Sequence, residues 1–345
     1  MDMKAVFLTG HGGNEVVQYG RRPFPQRKAG EVIVRLHAAT LNRVDLYMRD
    51  SGAGITHSIP QIMGLDGAGV VHESDGSAPQ LTIGSEVVLH PGIGCGHCEF
   101  CARGDTVLCT SIQFLGEHID GTLAEYISVP ARNVYPKPAR LGFAEAAALG
   151  VNHLTAWRML FTKARLQAGE TVLIFGIGGG VSLAALQIAK QVGARVIVTS
   201  RDERKLRRAL EMGADHAIDG SKSGIAKSVL ELTGGRGADV TFENVGQAVW
   251  PDALKSTVRG GRIVTCGATS GDSPSADLRR LFVRQLQIFG SSLGSLEEFR
   301  QLLAFVENTG LQPLIGARYA MGGVHSALDF LASGEQFGKI AIDIG

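Results

Sequence analysis

The chain has 345 residues, with 34 Lys and Arg against 33 Asp and Glu, for a formal charge of +1. That balance offers no field to nucleic acid or to an anionic lipid surface. No apolar run approaches the ~18 residues of a membrane span. The opening MDMKAVFLTG lacks the basic-then-apolar order of an export signal, so a cytoplasmic protein with neither nucleic-acid nor membrane partners is expected.

Residues 1–150 carry short extended runs separated by turns: MKAVFLTG, EVIVRLHAATLN, GAGVVHES, SEVVLHP and AEYISVP. They predict a barrel-like β domain. Inside it, GCGHCEFCARGDTVLC holds four of the five cysteines, Cys95, Cys98, Cys101 and Cys109. Thiolates are soft ligands, and four of them match the tetrahedral preference of zinc. Gly94, Gly96 and Gly104 ease the turns that let one loop wrap an ion. An iron–sulfur cluster, scattered free thiols or disulfides are the competing readings, and no other feature points to electron transfer or export. Four protein ligands close the coordination sphere, so this zinc is expected to hold a loop and not to catalyse. His97 is expected to be a bystander.

From 151 to 290, strands alternate with helices, the pattern of a parallel α/β domain. GETVLIFGIGGGVSLAALQIAKQV runs from an apolar strand through glycines into a helix, the layout that opens a dinucleotide-binding βαβ unit. Gly176, Gly178, Gly179, Gly180 and Val181 are the expected cofactor contacts, although the strict G-x-G-x-x-G pattern is absent. In the next unit, ARVIVTSRDERK, the strand ends at Ser200 and Arg201, where an NAD enzyme usually places an acid for the ribose hydroxyls. A hydroxyl and cations suit a 2'-phosphate instead. NADPH is therefore expected, with Ser200, Arg201 and Lys205 near its phosphate and Asp202 starting the following helix. Glycine-rich turns after the later strands add Val245, Gly267 and Gly290 to the cofactor face, with Gly246 as a further close-approach point. Cys266 is expected to be a packed thiol.

Together these pieces resemble the medium-chain dehydrogenase/reductase superfamily of zinc-type alcohol dehydrogenases and quinone oxidoreductases. The resemblance spans the whole chain. It rests on GEVIVRLHAATLNRVDLYMR, MGLDGAGVV, the cysteine loop, GTLAEYISVP, LTAWRML, VLIFGIGGGVSLAALQIAK, EMGAD and GKIAI. It implies a GroES-like β-barrel catalytic domain from 1–150 with 291–345, and a Rossmann-type doubly wound parallel sheet from 151–290. It also implies an active-site cleft between them and a homodimer, possibly a tetramer. The family's glycine turn maps onto Gly176, Gly179 and Ser182, with serine replacing the last glycine. Its structural-zinc cysteines map onto the four above.

Its catalytic-zinc ligands fall at Asn42, Leu65 and Val151, with Asp66 as the acidic neighbour, and its proton-relay hydroxyl falls at Val44. None of the three main positions can hold a Lewis-acid zinc. The resemblance then implies the metal-free chemistry of the other branch. That is NADPH-dependent hydride transfer to a quinone, or to the activated double bond of an enone, enal or enoyl thioester, a small carbonyl-conjugated substrate. Asn42 is the expected anchor for a carbonyl or the nicotinamide, with a turn-capping role as its alternative. Tyr47 and His153 are candidate proton donors beside solvent. Asp45 and Arg49 are expected to pair at i, i+4, and Asp66 to order its own loop. Thr155 is expected to face the cofactor, and Lys339 in FGKIAI matches a family lysine close to the cofactor phosphates. A zinc site rearranged around Asp66 with His57, His90 or His153, and a nonenzymatic NADPH-binding protein, are the alternatives.

Overall fold

The strand Glu31–Leu41 is buried along almost its whole length, as its run of Val, Ile, Leu and Ala dictates. In the computed structural model of the chain, which describes every residue except Met1, Ser77 and Ser223, this strand is the spine of a seven-stranded sheet. It pairs antiparallel with Asp66–Glu73, with Tyr126–Pro130 along its first half, and with Lys339–Asp343 along its last residues. The register decides where the polar residues meet. Thr40 lies opposite Asp66, and Leu41 opposite Ile340. Asn42, Asp66 and Lys339 therefore arrive at one end of the sheet. Only glycine fits at Gly69, where a Cβ would sit 2.0 Å from the Arg35 carbonyl oxygen.

The chain divides into two units, residues 1–154 with 294–345, and residues 155–293. The first is the β-rich unit. Leu8, Val34, Leu36, Leu89, Leu123 and Ile342 are all fully enclosed in its core. Each such side chain contributes about 1.5–3 kcal/mol by leaving water.

The second unit is built on six parallel strands in the order His216–Asp219, Arg195–Ser200, Thr171–Ile174, Ala238–Glu243, Thr257–Thr265, Gln287–Gly290. TVLI and ADVTFE are buried at every position, as strands covered on both faces must be. The order reverses between Thr171–Ile174 and Ala238–Glu243, and such a switch point opens a crevice at the strand C-termini. The doubly wound sheet and the β-rich unit expected from the sequence are both present. Among the described residues, no helix is long and apolar enough to cross a membrane.

Candidate functional site

The β-rich unit holds a buried polar cluster built from four separated stretches. Lys339, 3 % exposed, points its Nζ at Leu41 O (2.9 Å), Asn42 Oδ1 (2.7 Å) and Asp66 Oδ2 (3.1 Å). These use all three N–H bonds of the ammonium, so none is left for a phosphate in this arrangement. Burial pushes the lysine pKa down, and Asp66 opposes that shift. Asp66 is fully enclosed. Its Oδ2 also accepts from Thr40 Oγ1 (2.6 Å) and Asn42 Nδ2 (2.9 Å). The expectation that Asp66 orders its own loop is corrected: it opens the strand Asp66–Glu73 and is the counter-ion of Lys339. Its Oδ1 has no hydrogen-bond partner and lies against Gly150, where a Cβ would approach to 2.7 Å.

An ammonium only donates, so the Asn42 atom beside Lys339 is its oxygen. That oxygen also accepts from Asn152 Nδ2 at 2.7 Å. The Asn42 amide nitrogen gives one N–H to Asp66 and the other to Thr40 O at 3.4 Å. Asn42 thus starts helix Arg43–Ser51 without capping it through its side chain, and its amide is spent within the cluster. Asn152 was not singled out from sequence. It sits beside Val151 in the π-helical turn Leu149–His153, a geometry that recurs at functional sites. Nothing in the local sequence marks it.

The other candidates lie around this cluster. The expected Asp45–Arg49 pair does not form. Asp45 reaches back to cap its own helix, accepting from Asn42 N at 2.7 Å, while Arg49 binds Asp50 and Asn14. Helical spacing brought the two residues to neighbouring turns, but the capping bond turned Asp45 inward. Burial pushes Asp45 up to about 7, against the pull of the Asn42 N–H and of Lys339. Burial, then the charge of Asp45, pushes Glu117 up to about 7 as well. Tyr47 lies on the exposed side of the same helix. His153 is buried, its Nδ1 at 3.1 Å from Ala148 O. His90 faces the Gly92 and Gly294 carbonyls, and His57 the Ile55 carbonyl. Leu65 is buried. Asn, Leu and Val with an ammonium among them do not fit a divalent metal.

The cysteine loop fits one well. The four sulfur atoms lie within 4.8 Å of one another, against about 3.8 Å between sulfurs on a tetrahedral zinc with bonds near 2.3 Å. Among the described residues this is the only converging group of three or more potential ligands. His97 turns to the Cys95 carbonyl and stands outside it. Arg132 braces the loop through Gly94 O at 2.6 Å. Backbone N–H groups at His97 and Cys98 bring the Cys95 thiol down to about 6, whereas burial pushes Cys101 up to about 11. Holding all four as thiolates takes a cation.

In the second unit the glycine turn has the shape of a phosphate cradle. Gly176 and Gly178 have φ of 67° and 116°, and Gly179 precedes helix Gly180–Gln191, with Val181 in its first turn. Free N–H groups at such a helix start favour a pyrophosphate. Ser182 is fully buried, and its hydroxyl bonds Gly176 O (2.8 Å) and Gly179 O (3.0 Å). Serine in the last glycine's place therefore pins the turn. Asp202 caps helix Glu203–Glu211 and is paired with Arg204. Arg201 is exposed, and no side-chain bond to it is present among the described residues. Lys205 lies over the turn, 2.6 Å from where a Gly178 Cβ would be. Ser200 accepts from Asp202 N, and Thr155 is buried.

Glu243, missed from sequence, is fully buried and binds the N–H groups of Val245 and Gly246 and the Thr265 hydroxyl. It fixes the loop that carries Val245, which lies against Gly176. Gly267 approaches Asn244 O, whereas a Cβ at Gly290 would meet nothing within 4 Å. The Cys266 thiol is pushed up to about 12 by burial and then by Glu243.

Family sequence models match in both units: a zinc-binding dehydrogenase model over residues 180–308, and an alcohol dehydrogenase GroES-like domain model over residues 28–139. A quinone oxidoreductase of Rattus norvegicus is 29% identical over 350 residues, covering 99% of this chain and 97% of that protein. A zinc-type alcohol dehydrogenase-like protein of Schizosaccharomyces pombe is 30% identical over 331 residues, 93% of each. A crystal structure described as an NAD-dependent alcohol dehydrogenase matches with a TM-score of 0.96 at 40% identity, covering 99% of this chain and 100% of that one.

Proposed function

Because this chain belongs to the medium-chain dehydrogenase/reductase superfamily of zinc-type alcohol dehydrogenases and quinone oxidoreductases, we propose that it is an NADPH-dependent reductase of a quinone or an activated carbon–carbon double bond, acting without a catalytic metal. One observation carries this reading. Where the resemblance implies catalytic-zinc ligands, the chain sets Asn42, and the Lys339 ammonium lies 2.7 Å from its oxygen. An ammonium has no lone pair to give a metal and already occupies the Asn42 oxygen, so an alkoxide would lack its usual Lewis-acid partner here. Reducing an enone or a quinone asks for less, because the substrate's own carbonyl takes up the charge and hydrogen bonds share it.

The glycine turn fits a dinucleotide, and Arg201, with Lys205 nearby, supports NADPH over NADH. When bound, the nicotinamide cofactor supplies the hydride. As the hydride bonds to the substrate's β-carbon, the double-bond pair shifts and charge gathers on the carbonyl oxygen. A proton from solvent then reaches the α-carbon. The similar crystal structure described as an NAD-dependent alcohol dehydrogenase makes cofactor choice a point to measure.

The assay is NADPH absorbance with purified protein and a panel of quinones, enones and enoyl thioesters, set against simple alcohols with NADP. Acceptor reduction with negligible alcohol oxidation is expected. Alcohol oxidation with no acceptor reduced would overturn the reading. We also propose a homodimer. Gln287–Gly290 is an edge strand, flanked by exposed Leu278, Phe282 and Val283, and sedimentation of the protein as a monomer at micromolar concentration would count against it.

A further inference from the structure

Resting on the reductase reading, we propose that Asn152 supplies the N–H that holds the substrate's carbonyl oxygen, with Asn42 and Lys339 as the residues that position it, and that the site selects an uncharged carbonyl. Lys339 spends its three N–H bonds on Leu41, Asn42 and Asp66. Asn42 spends both of its own on Asp66 and Thr40. The Thr40 hydroxyl goes to Asp66, and Asp66 as a carboxylate only accepts. Asn152 gives one N–H to Asn42 Oδ1. Its second N–H has no partner among the described residues.

Asn152 is 7 % exposed, so that donor is largely shielded from bulk water. A donor so shielded from water is worth more to a developing negative charge than one in bulk solvent. Its direction is set in advance. Asn42 can receive Asn152 only through an oxygen that the lysine has already fixed, and the π-helical turn holds the Asn152 backbone. Preset direction is what makes a hydrogen-bond donor effective in catalysis.

The charge balance of the cluster sets the substrate class. The lysine charge is cancelled by Asp66 at 3.1 Å, so the cluster has no net positive charge to offer a carboxylate. A ketone, quinone or thioester carbonyl suits one neutral N–H, and a free unsaturated acid does not.

The test uses the whole protein with NADPH and two probes, cyclohexenone and the matching unsaturated carboxylate. The unmodified protein is expected to reduce the ketone and not the acid. Asn152→Ala is expected to lose roughly a hundredfold in kcat, the scale of one oxyanion donor, with unchanged NADPH affinity and only a small fall in thermal midpoint from the lost bond to Asn42. Asn152→Ser, which keeps a donor, should recover part of that loss. Infrared spectra of carbon-13 cyclohexanone bound to the NADP-loaded protein give the direct reading: the carbonyl stretch should rise in frequency in Asn152→Ala. An unchanged frequency and wild-type kcat in both variants would overturn the assignment while leaving the reductase reading intact. If Asn152→Ala does not fold, Asn152→Ser alone decides through the same two measurements. If the unmodified protein reduces no acceptor, the reductase reading falls and this inference with it. Reduction of the acid as fast as the ketone would overturn the substrate class.

Discussion

Asp66 and Lys339 lie 273 positions apart in sequence, yet their side chains meet at 3.1 Å with 0% and 4% of their surface exposed. Removing one partner of such a pair strands a buried charge, which costs about 3–5 kcal/mol, whereas replacing both with apolar groups is close to neutral. Lys339→Met should therefore lower the unfolding free energy by about that amount. The double variant Asp66→Leu with Lys339→Met should recover much of it. Urea titration of the three proteins measures this, and a Lys339→Met protein as stable as the parent would mean that the pair contributes nothing.

Asp45 gives the protein a pH dependence whose sign follows from its raised pKa. Its ordinary value is 3.8, and in the fold it stands at about 7. The folded state thus binds the proton more tightly, so the stabilisation is full below pH 3.8 and is lost as pH rises through about 7. Asn at this position still accepts the Asn42 N–H and never ionises. Asp45→Asn should therefore match the parent near pH 4 and exceed it by a few kcal/mol near pH 8. Denaturation curves at the two pH values check it; a Asp45→Asn protein weaker than the parent near pH 8 would contradict it.

The cysteine loop should hold one zinc per chain. Cys101→Ser should lower the zinc content and the thermal midpoint together. Kinetic constants of whatever fraction stays folded should change little, since a closed tetrahedral site leaves no position for substrate. Elemental analysis giving about two zincs per chain would refute the assignment of a single site.

Cofactor choice turns on Arg201. Its alanine variant should weaken NADPH roughly ten- to hundredfold, at about 1.5–3 kcal/mol for a charge-assisted contact, and NADH little. Arg204 is committed to Asp202, so Arg204→Ala should do less. Fluorescence titration with both cofactors decides it, and equal affinity of the unmodified protein for NADPH and NADH would refute the preference.

What the sequence made readable was local. The cysteine spacing sets a loop, the apolar runs set strands buried on both faces, and Asp202 before an amphipathic stretch marks a helix start. All depend on neighbours within a few residues. The polar cluster depends on the register of three strands and on one helical turn, which together bring Asn42, Asp66, Asn152 and Lys339 to the same place. No local pattern encodes that meeting. Asp45 shows the opposite failure. Its spacing from Arg49 is a valid helical signal, but the backbone N–H of Asn42 competes for the same carboxylate and wins.

The strand that carries Lys339 also sets an order of assembly. It pairs with Glu31–Leu41, and the contact of Lys339 with Asn42 spans 297 positions. At 5–20 residues per second, a ribosome takes roughly 15–60 seconds to make that interval. The second unit is continuous in sequence and is complete before Lys339 is added. Until Lys339 is added, Asp66 is a carboxylate without its cation, so the second unit is free to fold before the polar site can close on the nascent chain.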